Sequence, residues 1–208
     1  MKKLTVLYAC GVMLCLNTAL LAGITTYNLD VFTQNGDYYD DPALDIYMEV
    51  LSADTTSVRF DFYNNSTLDS SAVSHIYFYE DLFQSLRSIE NGEGVSFSEG
   101  ANPSNLPAAN LLTEIALDEP SYVISADSPA PFNGINSGQS LGIILDLKAG
   151  YTYENVISAF DNRQMFVGAR IISLPDGSSE AAAAIPEPAT VVLLAIGSFA
   201  LLRKPKNK

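Results

Sequence analysis

The chain has 208 residues, with 11 basic and 24 acidic side chains and a formal charge of -13. That length suits one or two domains. Six of the cations, Lys2, Lys3, Arg203, Lys204, Lys206 and Lys208, sit at the ends, so the stretch from Asp30 to Glu180 sets 23 acids against Arg59, Arg87, Lys148, Arg163 and Arg170, a net -18. Such a middle repels phosphate backbones and argues against nucleic acid as a partner. It favours solubility, cations and basic partners, solubility alone being the plainer reading.

Residues 1–23 read as a secretory signal peptide. Lys2 and Lys3 form a positive start, Leu4 to Leu16 is almost entirely apolar, and Ala22 and Gly23 close the segment with small residues. A retained membrane anchor is the competing reading. Both cysteines, Cys10 and Cys15, lie inside this segment. A chain cleaved after Ala22 or Gly23 therefore carries no thiol, and so no disulfide, Cys-ligated metal or cysteine nucleophile.

Residues 24–180 hold enough chain for one substantial core. Leu44 to Leu51 opens a series of strand signals. Val58-Arg59-Phe60-Asp61-Phe62 alternates apolar and polar residues over one strand length. After the turn formers Tyr63 to Ser71, Val73 to Tyr79 is β-branched and aromatic, as strands prefer. Phe83 to Ile89 reads as a strand, although Leu82, Leu86 and Ile89 also fit a helical stripe. Asn91-Gly92 then predicts a hairpin turn into Gly94 to Ser98. Tyr122 to Ser125 adds a short strand. Ser140 to Leu147 and Gln164 to Leu174 read as buried strands, with a two-turn helix over Glu154 to Asp161 between them. Asp176 to Ala184, small and polar, reads as a linker, and 181–185 joins the domain to the tail. Short strands and long loops rich in Pro, Asn and Gly predict an all-β fold, an antiparallel β-sandwich with a jelly roll close behind. An N-terminal signal helix and a C-terminal hydrophobic helix flank it.

Candidate chemistry in the middle is sparse. His75 is the only histidine, which excludes multi-histidine zinc sites. It sits in a strand pattern without a Gly-x-Ser-x-Gly elbow, so a packed strand histidine is the better reading than a triad member. Asp37, Asp40, Asp41 and Asp45 cluster around Tyr38, Tyr39 and Pro42. Clustered carboxylates and loop carbonyls suit Ca²⁺, but without an Asp-x-Asp-x-Asp-Gly loop an acidic solvated loop is the better reading. Glycosidases hold two carboxylates about 5 to 9.5 Å apart, a condition that many acids meet by chance. Tyrosines at 38, 39, 47, 63, 77, 79, 122, 151 and 153 offer a sugar-stacking face or, more plainly, core and sheet-face packing.

The C-terminal segment 186–208 carries the most specific pattern. Ala189 to Leu202 spans 14 residues. As a helix it would be about 21 Å long, short of a bilayer core of about 30 Å. Pro188 suits a first helical turn, and the basic residues after Leu202 favour a cytoplasmic end. A marginal anchor behind a distinctive tripeptide has the form of a halt signal, held briefly and then cut. Pro186-Glu187-Pro188, Ala189-Thr190, the apolar stretch and Arg203-Lys204 together resemble the PEP-CTERM sorting signal. Ala189 in place of the usual Ser, and Pro205 within the basic cluster, depart from its common form. The resemblance implies a Gram-negative host and an exosortase as processing partner. That membrane enzyme would recognise Pro186, Glu187, Pro188, Arg203 and Lys204. The protein would contact the membrane transiently through residues 189–202, then reach the cell surface or an exopolysaccharide matrix such as a biofilm. A plain C-terminal anchor is the alternative.

More weakly, the middle resembles a domain often found ahead of such tails, through Gly94 to Ser98, Asn105-Leu106-Pro107, Asn133 to Asn136 and Asp176 to Ser179. That likeness implies a fold and no settled activity. The expectation is thus a non-catalytic surface or matrix protein. A carbohydrate-binding module, calcium-assisted or not, is the alternative, and a matrix hydrolase ranks third.

Overall fold

A computed structural model describes residues 23–112 and 119–184. The strands are β1 (Thr25–Asn28), β2 (Asp30–Val31), β3 (Ile46–Asp54), β4 (Ser57–Asn64), β5 (Ala72–Tyr79), β6 (Phe83–Asn91), β7 (Phe97–Glu99), β8 (Tyr122–Ala126), β9 (Ile135–Asn136), β10 (Ser140–Leu147), β11 (Phe166–Ile172) and β12 (Glu180–Ala184). A single helical turn, α1 (Ala130–Asn133), precedes β9, and α2 (Tyr153–Asp161) joins β10 to β11. One sheet has five strands in the order β1-β3-β4-β10-β6. The other has seven, β2-β12-β11-β5-β8-β7 with β9 beside β5. Every pair of these strands is antiparallel. The predicted all-β class therefore stands.

The two sheets pack face to face. β4 turns Val58, Phe60 and Phe62 inward and leaves Arg59, Asp61 and Tyr63 half-buried on its other side. Phe78, from β5 of the second sheet, meets Phe60 edge-on at 5.1 Å and Phe62 at 6.2 Å. These edge-to-face contacts place the positive rim of one ring on the negative face of another. The helix predicted over 154–161 forms as α2, capped by Thr152, whose backbone N–H donates to Asn155 Oδ1 at 2.9 Å. It presses Phe160 against the Tyr27 ring at 4.6 Å and so closes one end of the core.

β5 is buried along its whole length because both of its faces are covered. Val73, Ile76 and Phe78 join the main core, whereas Tyr77 and Tyr79 join a second cluster with Phe166 and Leu106. The loop carrying Leu106 lies over this outer face as a strap. Tyr77 donates its hydroxyl to Pro103 O at 3.2 Å, and Leu106 N–H donates to the Tyr79 hydroxyl at 3.0 Å. Leu106 fits over Gly168, where a Cβ would lie 2.5 Å from Leu106 Cδ2.

Two expectations need correction. Asn91-Gly92 does not return the chain as a hairpin. β6 pairs with β10, while β7 pairs with β8 in the opposite sheet, so the Asn91–Ser96 turn carries the chain across the sandwich. The Asn91 side chain fixes that turn by accepting the Phe97 N–H at 2.9 Å.

The linker over Asp176 to Ala184 is also overturned at its C-terminal end. Residues 180–184 form β12, fully buried between β2 and β11, so the folded domain extends through Ala184. Alanine is a poor strand former in isolation. Here both faces of the strand are crowded, with Ala182 and Ala184 in the main core and Ala181 and Ala183 in the second cluster. Small side chains fit that space. Among the described residues, no helix is long and apolar enough to cross a membrane.

Candidate functional site

The outer face of the five-stranded sheet is where unlike side chains come together. In-register pairing sets Tyr47 of β3 opposite Tyr63 of β4, and Glu49 opposite Asp61. Gly142 of β10 then lies between Asp61 on one side and Glu90 of β6 on the other. The alternation of each strand sends all these residues to the same side. The result is two neighbouring rows, one of tyrosines and one of carboxylates, running across the strands.

The tyrosine rings of the pair stack with centroids 4.9 Å apart and planes 16° from parallel. In the carboxylate row, Arg59 supplies the counter-charge. Its Nε lies 2.7 Å from Asp61 Oδ1 and 2.8 Å from Oδ2, and its Nη1 reaches Glu90. The guanidinium occupies the space left by Gly142, where a Cβ would approach Arg59 Nη2 to 2.6 Å. Hydrogen bonding to Asp61, with Glu90 adding to it, holds Arg59 firmly protonated against the opposing effect of burial. Glu49 receives only a long bond, 3.4 Å, from the Tyr63 hydroxyl. Burial raises the Tyr63 phenol above its ordinary value, and the Asp61 and Glu49 charges add to the rise.

A second ionic group joins the end of β3 to β6 and β10. Arg87 Nε donates to Asp146 at 2.6 Å and its Nη1 to Asp54 at 2.5 Å. The Arg87 bond, followed by the Thr56 amide, holds the exposed Asp54 carboxyl well below the usual range. Beside this group opens a shallow cleft of about 320 Å³, lined by Thr56, Gln84, Ser85, Asp146, Leu147 and Ala149.

At the turn between β5 and β6, Glu80 accepts the N–H groups of Leu82 and Phe83 through one oxygen, while its other oxygen is buried without a partner. Burial dominates there and pushes the carboxyl up to about 7, despite those two amides and the Lys148 charge. The nearby Asp81 carboxylate adds a smaller rise.

The acidic cluster predicted from sequence is spread over a loop. Asp37 N–H donates to Asp176 Oδ2 at 2.9 Å, Asp41 Oδ1 accepts the Ala43 amide at 2.8 Å, and Asp45 N–H donates to Ser66 Oγ at 3.1 Å. Asp40 is exposed. Among the described residues, no group of three or more His, Cys, Asp or Glu side chains is placed to hold a metal ion.

His75 is a packed strand histidine, 8% exposed and parallel to the Tyr77 ring at 6.0 Å. Its Nδ1 lies 2.8 Å from Ser74 Oγ, a fully buried hydroxyl that also bonds Arg170 O. Burial lowers the imidazole pKa and the Arg170 charge lowers it further, against the opposing Asn102 carbonyl.

Of the tyrosines, 77 and 79 are buried under the strap, and Tyr153 is tied to Gly23 O at 2.8 Å. Tyr47 and Tyr63 are the two that the sheet sets side by side on an open face. Pro186, Glu187, Pro188, Arg203 and Lys204, and the apolar stretch 189–202, lie outside the described residues, as does the signal segment through Ala22.

The relay from Asp61 through Arg59 to Glu90 was not foreseen from sequence. The outward alternation of Arg59, Asp61 and Tyr63 was its available sign, but the partners depend on β10 separating β4 from β6. No family model matches the chain, and no curated protein or solved structure is detectably similar to it.

Proposed function

We propose that this chain is an exported, exosortase-sorted protein of the cell surface or extracellular matrix, and that it acts there without catalysis by holding polysaccharide. The route rests on the two ends of the sequence: a signal segment, and a Pro-Glu-Pro, apolar stretch and basic tail at residues 186–208. The contact with polysaccharide rests on one observation. Tyr47 and Tyr63 stack side by side on the outer face of the five-stranded sheet, next to the Glu49, Asp61 and Glu90 row.

Aromatic rings offer apolar area at low conformational cost, while flanking carboxylates accept hydrogen bonds from hydroxyls. A sheet face presents both on a rigid platform, with neighbouring strands about 4.8 Å apart. Repeating polymers suit such a surface, because several weak contacts add along one chain.

Co-sedimentation with exopolysaccharide isolated from the host tests this reading. The protein is expected to pellet with the polymer, and Tyr47→Ala/Tyr63→Ala to stay in the supernatant while still folded, its unfolding cooperative and its midpoint lowered only by the loss of the stacked pair. Equal pelleting of both proteins would remove the face from the account.

A further inference from the structure

We propose that the polymer held on this face is an amino-sugar polysaccharide with free, protonated amines; the inference rests on reading the face as a glycan surface. Glu49 and Asp61 are direct cross-strand neighbours. Like charges in that position repel. Asp61 is relieved by Arg59, but among the described residues no cation pairs with Glu49.

Arg59 is already shared between Asp61 and Glu90, and Arg87 between Asp54 and Asp146. Both guanidinium groups are thus committed, leaving neither free for a uronate or sulfated polymer. The charge left uncompensated on the face is negative, and an ammonium, with three donors and no acceptor, is the group that complements it.

The geometry gives that ammonium a place. The carboxylate row runs beside the tyrosine row, so an amine near Glu49 belongs to a sugar that lies along the Tyr47 and Tyr63 pair. The Tyr63 hydroxyl already donates to Glu49, though only at 3.4 Å, and a stronger donor can displace it. The net -18 between Asp30 and Glu180 draws a polycation from a distance. Such an attraction weakens with salt, since the screening length is about 10 Å at 0.1 M.

The test is calorimetric titration of the full chain in nonionic detergent with three probes: glucosamine oligomers, their N-acetylated counterparts of equal length, and oligogalacturonate. The pH is held where the glucosamine amines are protonated. The free-amine oligomer is expected to bind at least about tenfold more tightly than the acetylated one, to weaken in high salt, and to lose about tenfold in Glu49→Gln/Glu90→Gln. Oligogalacturonate is expected not to bind, and Asp40→Asn, off the face, to leave affinity unchanged.

Equal affinity for the acetylated and free-amine oligomers, still lost in Tyr47→Ala/Tyr63→Ala, overturns the amine inference and leaves the glycan face standing. Preference for oligogalacturonate overturns it as well. Free-amine binding that Asp40→Asn weakens as much as the face variant reduces the effect to general charge and also overturns it. Binding of none of the three probes, together with failure to sediment with host polymer, removes both claims. The salt series reads out the ionic part of binding even where a Glu variant fails to fold.

Discussion

Glu80→Gln probes a carboxyl whose burial outweighs its hydrogen bonds. In the folded chain this group titrates at about 7, raised from an ordinary 4.5 mainly by burial. When the folded pKa lies above the unfolded one, the unfolded chain gives up its proton first as pH rises. Stability is therefore complete below about 4.5 and is lost progressively up to about 7. At about 1.4 kcal/mol per pH unit, that interval amounts to about 3 kcal/mol, a large share of a typical 5–15 kcal/mol.

Glutamine keeps an oxygen for the Leu82 and Phe83 amides and does not titrate. Urea unfolding of both proteins across the acid-to-neutral range gives the difference directly, because other titrating groups largely cancel. Glu80→Gln is expected to gain on wild type by about 2–3 kcal/mol between pH 5 and pH 8. A flat difference, or one that grows toward acid pH, refutes the argument that burial controls this group.

Glu180→Ala is expected to cost about 3 kcal/mol or more. The carboxylate, 1% exposed, accepts from the Thr33 hydroxyl and from the amides of Asn35 and Gly36 at 2.8 and 2.9 Å. Chemical denaturation reads the loss, and limited proteolysis should show new cutting near Asn35. Tyr27→Phe is expected to stabilise by about 1 kcal/mol. The Tyr27 hydroxyl is buried without a partner, while its ring stacks on Phe160 and would remain. A melting temperature below that of wild type would contradict this.

The strands with clear alternation or continuous apolar character were legible. Val58 to Phe62, Val73 to Tyr79 and Ser140 to Leu147 all lie within observed strands, because their side chains carry the pattern of what covers each face. Leu82 to Glu90 was ambiguous by periodicity, and the bulges in the β6–β10 pairing give the reason: they shift the register between Ile144 and Leu145 and again between Asp146 and Leu147. β12 was illegible because four alanines and a glutamate announce no strand. Their burial follows from the space left by β2, β11 and the strap.

The candidate site was half legible. Tyr47 and Tyr63 stood among nine candidate tyrosines, but only strand pairing shows that these two touch. The acidic loop from Asp37 to Asp45 attracted attention by density along the chain. The carboxylates that form a row, Glu49, Asp61 and Glu90, are far apart in sequence and meet through sheet order. Glu180 was equally hidden, since its donors come from residues 33 to 36.

The central claim is that both greasy ends are removed and the sandwich is displayed outside the cell. Intact-mass and terminal-peptide mass spectrometry of the protein recovered from the host's surface tests it most directly. Because β12 runs through Ala184 in the middle of a sheet, a folded product must retain that strand. The expected chain begins at Gly23 or Ile24 and ends between Ala184 and Pro188. A surface protein that still ends at Lys208, or a stable one that stops before Glu180, would contradict the account.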